Sequence, residues 1–173
     1  YPHVNVADAH FSVVLNGRQY NLHASRELNM ERMDISVGPI RIEIIEPLKK
    51  LRVIVEDSEG LSADLVFTGR AFPIEEPRFI QRIGSRLMMD YTRLTQNGRY
   101  SGWFSVDGNR VDVGEECIGT RDRSWGIRPI GARDQQPHSP PIVPGFFWHW
   151  TPLNFEDKSV FFHVNAAADG APF

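Results

Sequence analysis

Cysteine is almost missing from this chain of 173 residues: Cys117 stands alone. No intrachain disulfide can therefore form, and a reducing, cytoplasmic setting is the simplest expectation. No stretch reaches the roughly 18 apolar residues of a membrane span. An excess of basic charge is missing too. With 19 Lys and Arg against 22 Asp and Glu, the net charge is −3, which leaves no electrostatic footprint for nucleic acid or an anionic membrane. There is no Gly-rich phosphate loop before a helix, no nucleophile elbow, no His-Glu-x-x-His and no cysteine pair. Neither a cofactor nor a metal is expected. The six histidines are scattered, and only His149 and His163 could face each other across a hairpin to form half a metal site.

What is present is β patterning. The apolar fraction of 41% and charged fraction of 24% are those of a globular domain, and 11 Phe with 4 Trp suit a β-rich fold or an aromatic-lined pocket. His10 to Leu15 and Gln19 to His23 alternate about Asn16-Gly17, a strong hairpin signal. Ile40, Ile42 and Ile44, then Leu51, Val53 and Val55, then Leu61, Ala63, Leu65 and Phe67 alternate with polar or second-face residues. This spacing predicts an antiparallel meander with those residues inward. Phe79, Ile83 and Leu87 lie at helical spacing, so residues 78–94 read as a short irregular or helical piece followed by a strand. Tyr100 to Val106 and Arg110 to Val113 resume the β pattern. Gly131 to Gly145 holds Pro137, Pro140, Pro141 and Pro144 without periodicity, and Phe146 to Trp150 with Ser159 to Val164 read as another hairpin.

The densest chemistry lies at Gly119-Thr120-Arg121-Asp122-Arg123-Ser124-Trp125-Gly126. In an extended chain Arg121, Arg123 and Trp125 share one face while Thr120, Asp122 and Ser124 share the other. Two guanidiniums beside an indole suit an anion carried on an apolar body. The same residues equally suit a buried Asp122–arginine pair with Trp125 closing a core. Trp148 and Trp150, flanking His149, form either sheet core or the aromatic wall of a ligand cavity.

This octet resembles the Gly-Tyr-His-Asp-His-x-Trp-Gly signature of the carotenoid 1,2-hydratases, or hydroxyneurosporene synthases. It is most similar to the pattern of that superfamily's uncharacterised bacterial members, and the likeness extends loosely over residues 35–165. The resemblance implies an all-β, lipocalin-like antiparallel barrel, part of a two-barrel protein. Residues 1–131 would form one barrel, 132–145 a linker or crossing loop, and 146–173 the start of a second barrel or a closing hairpin. The chain, starting at Tyr1 and stopping after Asp169-Gly170, is then expected to be a piece of a longer protein. The resemblance further implies an isoprenoid-, steroid- or fatty-acyl-like ligand. Arg121 and Arg123 stand where the signature has histidines, and arginine stays charged instead of exchanging a proton near neutrality. Two roles follow: a cofactor-independent hydratase, cyclase or isomerase with Asp122 as its proton-handling group, or a non-catalytic binder. In the first, Arg121, Arg123, Trp125, Trp148, His149 and Trp150 would contact the ligand; in the second, the Arg–Asp–Trp cluster would be structural.

Overall fold

A computed structural model describes residues 1–114, 116–128 and 146–172. Among these no α-helix occurs, and the sheets are antiparallel. The strands are β1 (Val6–Leu15), β2 (Arg18–Glu27), β3 (Ser36–Val37), β4 (Ile40–Glu46), β5 (Lys50–Ser58) and β6 (Leu61–Gly69), followed by β7 (Ile74–Glu75), β8 (Phe79–Ile83) and β9 (Arg86–Val106). Then come β10 (Asn109–Val113), β11 (Ile118–Ile127), β12 (Phe146–Asn154) and β13 (Ser159–Ala167). Among the described residues no helix is long and apolar enough to cross a membrane. The Pro-rich stretch read as a linker lies outside the described residues.

The chain forms two compact units, and they are interleaved in sequence. Unit 1 takes residues 1–72 and 98–119, and unit 2 takes residues 73–97 and 120–173. In unit 1 the strand order β3-β4-β5-β6-β9-β10 makes a curled antiparallel meander, compatible with a lipocalin-like all-β fold. Its register joins the residues singled out by alternation: Ile40 faces Val55, Ile42 faces Val53, and Val55 faces Ala63. Leu22, Ile40, Val55, Leu61, Ala63 and Val106 form the core, with Phe11, Val13 and Tyr20 of the β1–β2 hairpin packed on it. That hairpin turns at Asn16-Gly17, whose φ angles of 52° and 75° are those of the turn type that matches strand twist. Burial is graded along the sheet, so that Ile44, expected inward, is 40% exposed.

The other face of this meander is polar, and Arg52 bridges it. Its Nε and Nη2 donate to the two carboxylate oxygens of Asp64 at 2.7 and 2.6 Å, and its Nη1 reaches Glu43 at 3.5 Å. The hydrogen bonds from Arg52 hold the Asp64 carboxyl below its ordinary range.

In unit 2 the helical alternative for residues 78–94 gives way to a hairpin. β8 pairs with β9 across Gly84-Ser85, with Phe79 opposite Tyr91 and Ile80 opposite Asp90. Strand pairing overrides the helical spacing of Phe79, Ile83 and Leu87. Short β7 pairs farther along β9, while β12 and β13 form the expected second hairpin.

Candidate functional site

Within unit 2 an open cavity of about 220 Å³ is built by strand alternation. Phe79 and Gln81 come from β8, Met89, Tyr91 and Arg93 from β9, Trp148 from β12, and His163 and Asn165 from β13; Arg128, just past β11, completes the lining. β8, β9 and β13 each give residues two apart, which is the spacing of one sheet face. Phe79, Tyr91, Trp148 and His163 give the walls four aromatic rings. The Phe79 and Tyr91 rings lie 5.6 Å apart, and Trp148 meets His163 edge-on at 6.2 Å. Trp148 Nε1 donates to His163 Nε2 at 2.9 Å. Since an indole N–H can only donate, His163 Nε2 is the acceptor of this bond.

The two lining arginines differ in kind. Arg93, with its side chain only 8% exposed, donates from Nε and Nη2 to Glu76 Oε2 at 3.0 and 2.7 Å. Glu76 Oε1 in turn accepts from Trp150 Nε1 at 3.2 Å, and the guanidinium lies over the Trp150 ring at 5.1 Å. Its charge is thus neutralised within the fold. Arg128 instead lies over the Tyr91 ring at 4.9 Å and donates to Ser124 Oγ at 3.0 Å. Among the described residues it pairs with no carboxylate. A guanidinium on an aromatic face, beside an apolar cavity and short of a counter-charge, is suited to an incoming anion.

Gly126 sets the course of β11 at this place. Its φ is +132°, and a Cβ here would overlap the Asp90 carbonyl oxygen and Tyr91. The missing side chain lets β11 run against β9 beneath the Tyr91–Arg128 stack.

The octet divides between its two faces as alternation requires. Thr120 Oγ1 bonds the buried Asn97 side chain at 2.8 Å, and Asp122 lies 3.8 Å from Arg93 Nη1. The nearest cation to Asp122 is therefore Arg93, across the strand pair, and neither flanking arginine. Its side chain is 49% exposed, so the buried Asp122–arginine pair weighed from the sequence is replaced by a solvated contact at the edge of the Glu76–Arg93 network. Arg121, Arg123 and Trp125 do not line the cavity, and Trp125 is 46% exposed instead of closing a core. Of the two β12 tryptophans, Trp148 lines the cavity and Trp150 lies under Arg93.

The two histidines of the hairpin do not face each other. Trp150 is opposite His163, while His149 is opposite Val164, so the imidazoles lie on different faces. His149 is exposed, bonded to Thr151 and flanked by Phe147 and Phe162. Among the described residues no group of three or more His, Cys, Asp or Glu could hold a metal ion.

A family model matches residues 1–173 from end to end. The chain belongs to DUF8625, a family of unknown function. No curated protein and no solved structure matches this DUF8625 chain.

On the reverse side of the cavity wall, Arg78 Nε and Nη2 grip the two oxygens of Asp90, each at 2.6 Å. These hydrogen bonds hold the Asp90 carboxyl below its ordinary range. A carboxyl depressed in the folded state adds stability above the unfolded value of about 4, and that stability is lost as pH falls through the folded value. The DUF8625 chain should therefore melt earlier as pH drops below about 4, partly through Asp64 and Asp90. Melting curves between pH 7 and 3 for wild type and an Arg52→Gln/Arg78→Gln double variant check this. An equally steep acid decline in both would refute the assignment.

Proposed function

We propose that this chain binds an apolar small molecule bearing an anionic group, with the apolar part among Phe79, Met89, Tyr91 and Trp148 and the anion on Arg128. The carrying observation is the contrast between Arg93, satisfied by Glu76, and Arg128, held on Tyr91 without a carboxylate among the described residues. An isoprenoid, steroid or fatty-acyl acid has the required chemistry, as the resemblance to the carotenoid hydratase superfamily implies. Size narrows the fit. A volume of about 220 Å³ holds roughly seven waters and lies below the roughly 300–1,000 Å³ of drug-sized pockets. The cavity therefore encloses one end of such a ligand, the remainder leaving through its open side.

Binding is favoured over catalysis. His163 Nε2 is already occupied by the Trp148 indole. Asp122 sits half exposed at the edge of the Arg93 network and does not line the cavity. The single cysteine agrees with a cytoplasmic binder.

Thermal shift and tryptophan quenching with fatty, isoprenoid and steroid acids test the proposal, each acid beside its neutral alcohol. At about 100 times the dissociation constant an acid should add about 2.7 kcal/mol. Arg128→Met should weaken the acids and spare the alcohols. No shift with any compound, or equal loss of both classes, would overturn it.

A further inference from the structure

The solvent face of the β1–β2 hairpin carries a second arrangement, unrelated to the cavity. His10 and His23 are directly opposed cross-strand partners, and their imidazoles stack with centroids 3.9 Å apart and planes 20° apart. Both residues are exposed. The backbone beneath them is fixed, because Phe11, Val13 and Leu22 on the reverse face belong to the unit 1 core or pack on it. Oxygen atoms gather beside the His10 ring: Ser12 Oγ lies 3.0 Å and Asn21 Oδ1 3.4 Å from its Nε2. Gln19 donates to that same Asn21 oxygen at 2.7 Å. Asp8, opposite Ser25, is the next residue along this face.

Two imidazoles in register are a bidentate ligand. Metal–nitrogen bonds of about 2.0–2.1 Å in a tetrahedral site place two nitrogens about 3.4 Å apart. The cross-strand register holds the two side chains opposite each other, and turning the stacked rings about their side-chain bonds brings one nitrogen of each onto a shared ion. The hairpin fixes the backbone, so only the two side chains are ordered on binding. We propose that His10 and His23 chelate one late first-row divalent cation, Zn²⁺, Ni²⁺ or Cu²⁺, with Ser12 Oγ, Asn21 Oδ1 or water in the remaining positions. Imidazole nitrogens with neutral oxygens select these ions over Mg²⁺ and Ca²⁺, which prefer carboxylate cages. Protons and metal compete for the same nitrogens, so binding weakens in acid. The bound ion would clip β1 to β2.

The experiment is calorimetric titration of the untagged chain at pH 7.5 with Ni²⁺, Zn²⁺ and Mg²⁺, beside electron paramagnetic resonance with one equivalent of Cu²⁺. Expected are one saturable Ni²⁺ or Zn²⁺ site per chain, no Mg²⁺ site, and a Cu²⁺ spectrum with two equatorial imidazole nitrogens. His10→Gln and His23→Gln should each weaken binding at least tenfold and leave one nitrogen. Circular dichroism checks that the variants fold; should either misfold, the nitrogen count in wild type decides. No saturable site, unchanged affinity in both variants, or loss caused instead by His149→Gln or His163→Gln would overturn the proposal.

Discussion

Arg93→Met should destabilise the protein by about 3–5 kcal/mol, the range for breaking a buried ion pair from one side. The side chain of Arg93 is almost wholly buried, and that of Glu76 is 18% exposed. Removing the guanidinium leaves the Glu76 carboxylate with only the Trp150 N–H and strips Trp150 of its stacked cation. Glu76→Gln should be damaging in the same way, since it strands Arg93. The double variant should recover much of the loss, because two neutral side chains leave no buried charge uncompensated. Asp122→Asn serves as the contrast: its carboxylate is half exposed and 3.8 Å from Arg93, so the cost should stay below about 1 kcal/mol. Urea unfolding of all four variants is the measurement. A loss under about 1 kcal/mol for Arg93→Met, or strict additivity with Glu76→Gln, would refute a desolvated pair.

Gly126→Ala is the second large effect. A φ of +132° is strained for any side chain, and the new methyl would meet the backbone of Asp90 and Tyr91, which cannot swing aside as a flexible side chain could. Backbone strain of about 1–3 kcal/mol and overpacking of about 1–3 kcal/mol together give roughly 2–6 kcal/mol. The shift should also part Tyr91 from Arg128, so the proposed anion binding should fall with stability. Gly170→Ala separates the two causes: its φ is +86°, but nothing lies within 4 Å of its added Cβ. It should therefore show the strain alone. Equal melting temperatures for the two variants would mean that close approach of β11 to β9 contributes nothing.

The meander was legible because Ile40–Ile44, Leu51–Val55 and Leu61–Phe67 each put apolar residues at every second position, and the observed register lines those positions up. The β1–β2 turn was legible for a local reason, since Asn-Gly takes two positive φ angles cheaply. The cavity was not. In Leu87 to Leu94 apolar side chains occupy both faces, so Met89, Tyr91 and Arg93 do not stand out from Met88 and Leu94, and a helical spacing competes with the strand. The octet drew notice to Arg121 and Arg123 by density of charge. What singles out a guanidinium is the face it occupies and whether a carboxylate already holds it, and both depend on pairing distant in sequence. Asp122 lay beside two arginines in the chain and met a third across the strand pair.

The long strand β9 also sets the order of events on the ribosome. Leu61 to Gly69 must wait for their partners, Gly98 to Val106, because residues 73–97 are made first and belong to the other unit. At about 5–20 residues per second, the chain from Gly69 to Val106 takes roughly 2–7 s to appear. Throughout that interval β6 presents an open edge bearing Leu61, Leu65, Val66 and Phe67, a template for pairing with another nascent chain. A pause in translation while residues 70–106 are being made would prolong this exposure.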